Sequence, residues 1–243
     1  MFLPILSGLG ALAAASAAGF HTMWPTSQLY GRTFIGEAGG SRRLALTYDD
    51  GPNDPYTQQL LDVLARHNVK ATFFFIGQFV KQRPAIARAV ADAGHEVGNH
   101  TFTHPNLIFR SAAQTRREID ECDSAIFDAI GRKTRLFRPP FGGRRPANLR
   151  AIRASGRDTI MWSVTGHDWN ATSAGQIVEK VTRQVHGGDV ILLHDGGHLR
   201  MGTDRSRTVE ATDALIRRYT GEGYSLVTIP EMMSRHESPV ASR

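Results

Sequence analysis

Short apolar runs alternate with amphipathic stretches along most of the chain. The runs fall at Leu44 to Tyr48, Ala71 to Ile76, His95 to Gly98, Leu136 to Phe137, Thr159 to Val164, Val190 to Leu193 and Ser225 to Ile229. All but the two-residue Leu136 to Phe137 have the length of a buried strand. Between them, Tyr56 to His67, Pro84 to Ala93, Ala112 to Ile130, Pro146 to Ala154, Ser173 to Val185 and Thr208 to Tyr219 space their apolar residues as helices do. Pro84 lies early in one helix, and Gly94, Gly131 and Gly156 stand just after others, as helix starts and stops require. Strands that alternate with helices pair in parallel through right-handed crossovers. Six or seven such units predict a barrel or a strongly wound α/β fold.

Polar residues recur where these strands end. Asp49 and Asp50 follow the first, His100 and His104 the third, Arg138 the fourth, Asp168 the fifth, and His194 and Asp195 follow Val190 to Leu193. In parallel barrels the carboxyl ends of the strands share one face, where active sites are assembled, so these side chains are expected to converge.

The run Thr47-Tyr48-Asp49-Asp50-Gly51-Pro52 puts two carboxylates side by side at a strand end. One can bind a metal while its neighbour stays free as a base. Asp-Asp-Gly-Pro alone is ordinary turn chemistry; what changes the reading is His100-Thr101-Phe102-Thr103-His104, whose imidazoles, four apart, are expected on one side of a helical turn. With Asp50 they make two imidazoles and one carboxylate, a set that leaves open positions for water and substrate. Iron oxygenases use a similar set, so ligand type does not fix the metal. Arg138, in Arg138-Pro139-Pro140-Phe141-Gly142, is placed to hold Asp49 through a forked pair. His194 is the candidate proton donor, since imidazole titrates near neutrality.

Composition narrows the class. With 243 residues, 21% charged and 41% hydrophobic, the chain can form one large domain. The net charge of +6 comes mostly from scattered Arg, without the basic block interleaved with aromatics that nucleic-acid binding uses. One cysteine, Cys122, excludes an intramolecular disulfide, and its helical setting suits a structural thiol. Residues 1–20 lack any charged side chain and are rich in Ala and Leu. They are expected to act as an export signal or membrane anchor, continued by a linker to residue 41. The catalytic domain is expected over residues 42–235, and residues 236–243 as a flexible tail.

The five segments Thr47 to Gly51, His100 to His104, Arg138 to Gly142, Asp168-Trp169 and Leu192 to His194 resemble, in order, the motifs of the polysaccharide deacetylases, the NodB-like carbohydrate esterase family 4. The resemblance implies a distorted, incomplete (β/α) barrel of about seven parallel strands. It also implies a divalent metal on Asp50, His100 and His104, usually zinc, with cobalt, nickel or manganese as alternatives. Asp49 would be the general base, tethered by Arg138. His194 would be the general acid, oriented by Asp168. Trp169 and Leu192 would wall the pocket for the acetyl methyl, and the backbone N–H near Phe141 would help hold the oxyanion. The chain departs from the pattern at Val164-Thr165-Gly166-His167, where many members carry a further Asp upstream of Asp-Trp.

The expected function is therefore metal-dependent removal of N-acetyl groups from a peptidoglycan- or chitin-like glycan, with water activated at the metal as nucleophile. The alternatives are an O-acetyl esterase or small-molecule amidohydrolase of the same fold, and a glycan-binding module without catalysis. The chain is expected to work as a monomer at the cell envelope.

Overall fold

The computed structural model describes residues 16–234. Its centre is an all-parallel sheet, in which β1 (Arg43–Gly51) lies between β2 (Thr72–Phe75) and β7 (Val190–His194). Beyond β2 come β3 (Glu96–Asn99), β4 (Leu136–Phe137) and β5 (Asp158–Thr159); beyond β7 comes β6 (Val164–Thr165). An eighth strand, β8 (Ser225–Leu226), pairs only with Arg43 and Leu44 at the start of β1. The seven strands on the main path form the incomplete barrel, open between β5 and β6.

Strand alternation sorts side chains into two layers. Leu44, Leu46 and Tyr48 of β1, Phe73 and Phe75 of β2, and Ile191 and Leu193 of β7 pack outward against the helices in the largest core cluster. The opposite face belongs to a smaller cluster of Ala45, Phe74, Leu136, Ile160, Val190, Ile229 and Met232, which plugs the barrel interior. Thr47, Asp49, Leu192 and His194 share that inward phase nearer the carboxyl ends. Local signals set the helix ends: Ser111 and Gln114 form a reciprocal capping box at the start of Ala112–Ile130, and Gly131 closes it, as expected, with φ +71°.

Three expectations need correction. Thr159 to Val164 is not one strand. β5 and β6 lie at opposite ends of the sheet, and residues 160–163 cross the barrel opening between them. Their carbonyls serve another purpose, since those of Ile160 and Met161 accept from Arg138. Ser225 to Ile229 is also not a single strand: β8 ends at Leu226, and Thr228 and Glu231 cap each other reciprocally to start the helix Ile229–Ser234. Finally, His100 and His104 do not sit on a helical turn. Residues 100–106 are irregular, with φ +68° at Thr101 and +58° at His104.

The chain upstream of Arg42 is hydrogen-bonded to the barrel. Phe34 N–H donates to the Thr159 carbonyl and Met161 N–H to that of Phe34, while Glu37 N–H donates to Gly188. Residues 16–23 are helical and are followed by turns. No helix of the described residues is long and apolar enough to cross a membrane. Most of the expected signal or anchor, residues 1–15, and the expected tail lie outside the described residues.

Candidate active site

β1 ends in Asp49, Asp50 and Gly51, pressed against the end of β7. The Asp49 carbonyl accepts from the N–H groups of Asp195 and Gly196, and a Cβ at Gly196 would come within 2.0 Å of the Asp50 carbonyl oxygen. Only glycine permits that approach. Asp50 itself has φ +74°, which rotates its side chain away from the direction Asp49 takes. Five of the six described non-glycine residues with positive φ are Asp50, Thr101, His104, Phe141 and His167, all in or beside this site. Each such backbone costs about 1–3 kcal/mol, tolerated where the surroundings enforce it.

The His100 to His104 loop is shaped by groups that the sequence reading did not select. Glu118, on the helix Ala112–Ile130, accepts from the Phe102 and Thr103 amides at 3.0 and 2.8 Å and from the Thr103 hydroxyl. Asn99 accepts from the Thr101 amide at 2.8 Å. His100 donates from Nδ1 to the Arg138 carbonyl at 2.8 Å, which fixes its tautomer and leaves Nε2 bare. Burial pushes its imidazole down to about 4, so it is neutral and fit to ligate.

His100 Nε2 and His104 Nε2 approach Asp50 Oδ1 at 3.5 and 3.1 Å. One ligand atom from each residue lies within 4.8 Å of the others, and all three residues are buried. Asp50 Oδ1 has no hydrogen-bond partner. Burial favours its neutral form, but His104, with smaller contributions from His194 and His100, outweighs this and holds Asp50 well below the usual carboxylate range. An ionised carboxylate oxygen without a hydrogen-bond partner, set beside the Nε2 atoms of two imidazoles, fits a divalent cation.

Asp49 lies on the barrel side of this cluster, 3% exposed, with Oδ2 3.7 Å from His100 Nε2. Arg138, fully buried, donates from Nη1 to Asp49 Oδ1 at 2.7 Å and to Thr47 Oγ1 at 2.8 Å. The expected fork onto Asp49 is thus a single bond. The rest of the guanidinium donates to the Ile160 and Met161 carbonyls, and its carbon lies 4.2 Å from the centre of the Phe74 ring.

Across the sheet, His194 donates from Nδ1 to Asp168 Oδ1 at 2.8 Å, leaving Nε2 free. Asp168 Oδ2 accepts from the His194 amide and from Thr208 Oγ1, each at 2.8 Å. Burial disfavours charge on His194, but Asp168, aided by Asp50 and Asp49, prevails and raises its pKa to about 9. Trp169, half exposed, presents its ring edge-on to His194 at 5.2 Å, and His167 rests against Trp169 at 5.0 Å. Leu192 is 3% exposed and shares the inward phase of His194 on β7. Phe141, 45% exposed, points its ring edge-on to His104 at 4.7 Å.

One imidazole at the site was not anticipated. His198 stacks on His104 at 4.8 Å, meets Phe141 at 5.2 Å and places Nδ1 4.0 Å from Asp50 Oδ2. Its loop is fastened by Asn53, whose side chain donates to the Asp195 and Thr203 carbonyls and accepts from Gly202. The run His194-Asp195-Gly196-Gly197-His198 carried the only signal, two histidines flanking paired glycines.

Known proteins share this architecture. A profile of polysaccharide deacetylases matches residues 36–160. The chain is 34% identical over 198 residues to the peptidoglycan-N-acetylglucosamine deacetylase of Listeria monocytogenes, covering 82% of this chain but only 40% of that relative's length. It is 37% identical over 208 residues to the chitooligosaccharide deacetylase of Sinorhizobium fredii, covering 83% of this chain and 97% of the relative. A crystal structure of a CE4 family pseudoenzyme from Bacillus anthracis superposes with a TM-score of 0.77 at 30% identity, over 83% of this chain and 69% of that one. A pseudoenzyme shares the fold, so activity depends on the site itself. By the length of these matches the chain belongs to the polysaccharide deacetylase family, carbohydrate esterase family 4.

Proposed function

We propose that the chain hydrolyses the N-acetyl group of an N-acetylated glycan of peptidoglycan or chitin type, releasing acetate and leaving a free amine. The strongest support is that a carboxylate, Asp49, and an imidazole with a free Nε2, His194, reach the Asp50, His100 and His104 cluster from two paired strands. A divalent cation held by those three residues, zinc by the family resemblance, would lower the pKa of a water and polarise the acyl oxygen.

The chain's own groups then have separate tasks. Asp49, kept in place by Arg138, takes the proton of the attacking water. The Phe141 N–H, which has no protein acceptor among the described residues, is available to the acyl oxygen as it gains negative charge. His194, held protonated by Asp168, gives its Nε2 proton to the departing nitrogen. Amide cleavage depends on that proton, because an unprotonated amine anion is a very poor leaving group. Trp169, Leu192 and Phe141 border the space for the acetyl methyl and the sugar. A glycan-binding module would need neither base nor acid. Acting on such a polymer places the protein at the cell envelope.

Acetate release from chitooligosaccharides, peptidoglycan and acetylxylan, measured on protein of known metal content, tests this. Release from an N-acetylated glycan is expected. Release from acetylxylan alone would make the chain an O-acetyl esterase, and binding without release a module that has lost catalysis.

A further inference from the structure

Arg144 is 1% exposed, yet among the described residues its guanidinium meets no carboxylate. Every bond it makes ends on a backbone carbonyl. Nη1 donates to Gly142 at 2.9 Å, while Nη2 donates to Trp24 at 2.8 Å, Pro25 at 3.2 Å and Ser27 at 2.8 Å. Its own N–H donates to the Thr22 carbonyl at 3.1 Å. Burial disfavours its charge, and a buried cation without a counterion is kept only where its geometry is needed.

What it joins is informative. At one end lies the segment 22–27, distant in sequence. At the other lies the turn Pro139 to Gly143, which carries Phe141 at φ +57° and Gly142 at φ +67°. Within that turn the Gly142 and Gly143 amides are spent on the Pro139 and Pro140 carbonyls, so Phe141 alone of the three keeps an N–H aimed elsewhere. The same turn is crowded on both sides. A Cβ at Gly142 would lie 2.8 Å from Trp162, and one at Gly143 2.9 Å from Asn106 and 3.6 Å from Met23 of the segment. A turn of two successive left-handed residues has no regular element to hold it, and its carbonyls are the handles available.

We infer that the segment 22–27 is a positioning strap for the active site: through Arg144 it grips the Gly142 carbonyl and so sets the direction of the Phe141 N–H. Arg144 is a positioning residue, four carbonyls being more than any other side chain's donors could serve in one plane. Its consequence for turnover rests on the oxyanion role proposed above for Phe141, and the two are separated by the experiment.

Arg144→Met, which keeps the bulk and removes the donors, and Arg144→Lys, which keeps one nitrogen, are compared with the unchanged protein, all metal-loaded. Backbone hydrogen exchange at Gly142 and Gly143 is expected to accelerate at least ~10-fold in Arg144→Met and less in Arg144→Lys, while exchange in β1 and β7 stays unchanged. With it, kcat should fall by ~10–100-fold, KM and metal affinity changing little, in the range for losing a supporting hydrogen bond. Unchanged exchange at Gly142 and Gly143 in a folded variant overturns the strap. Faster exchange with unchanged kcat leaves the strap standing and overturns the oxyanion role of Phe141. Should Arg144→Met fail to fold, the same two readings in Arg144→Lys decide.

Discussion

Asp49 and His194 are register partners on adjacent parallel strands, β1 and β7. Neighbouring strands lie about 4.8 Å apart, so the proposed base and acid are set one strand spacing from each other by the backbone ladder. Both carry the inward side-chain phase, and each is steadied by a buried partner, Arg138 for Asp49 and Asp168 for His194. A bond to be broken between them receives a nucleophile on one side and a proton on the other.

The two roles separate experimentally. Asp49→Asn should keep its metal, because Asp50, His100 and His104 remain, and lose activity on amide and aryl acetate alike. His194→Ala should damage the amide far more than the aryl acetate, whose phenolate leaves without a proton. Steady-state kinetics at verified metal occupancy checks this. Equal loss on both substrates in His194→Ala would remove the proton-donor role.

Removal of His104 should abolish metal binding. It supplies the shortest contact to Asp50 Oδ1, 3.1 Å, and without it the cluster falls to two ligands. Calorimetric titration of His104→Ala with zinc should show no tight site; one equivalent bound tightly would place the ligand set elsewhere.

His198, by contrast, should prove dispensable for metal stoichiometry. It stacks on His104 but lies outside the three residues whose ligand atoms share one 4.8 Å neighbourhood. Metal analysis of His198→Ala should match the unchanged protein. A lost equivalent would make His198 a fourth ligand.

Arg138→Lys should be impaired by ~10–100-fold in activity. The guanidinium serves Thr47, Asp49, Ile160 and Met161 from a plane lying against Phe74, and an ammonium cannot reach all four. Buried acceptors left bare cost about 1–3 kcal/mol, so the melting temperature should fall too. Full activity in a folded Arg138→Lys protein would take the tether out of the mechanism.

The His194–Asp168 pair should also be visible in pH dependence. In the metal-free protein His194 should titrate near 9 by imidazole NMR, and Asp168→Asn should bring it down towards 6.5, since Asp168 is the main group raising it. Because the folded value lies above the unfolded one, the pair's stabilisation is complete below about 6.5 and is lost as pH rises through about 9. Asp168 is depressed and acts in the opposite sense: its share is present above the usual carboxylate value and is lost as pH falls through the lowered one. A bound cation nearby disfavours protonation, so kcat/KM should decline at or below pH 9 on its alkaline side. A His194 value unmoved by Asp168→Asn would separate the pair electrostatically.

Local chemistry made much of this legible. The helix Ala112–Ile130 begins and ends where Ser111, Gln114 and Gly131 say it should, because capping involves residues within one turn of each other. Parallel pairing follows from alternation alone. At Ile229 the apolar run after β8 has the pattern of continued strand, although Thr228 and Glu231 spell the capping box that starts a helix there.

By itself the sequence determined the alternation of strands with helices, the family, and that Asp49, Asp50, His100, His104, Arg138, Asp168 and His194 would meet at one end of the barrel, because strand direction in a parallel sheet fixes which ends are shared. Tertiary structure alone decided how they meet. The break of Thr159 to Val164 into two strands, the left-handed backbone at Asp50 and His104, the grip of Glu118 on the histidine loop, the stacking of His198 and the fastening of residues 22–27 by Arg144 all depend on contacts between segments far apart in the chain. Periodicity records only which face a residue presents; what that face meets is settled when the sheet closes.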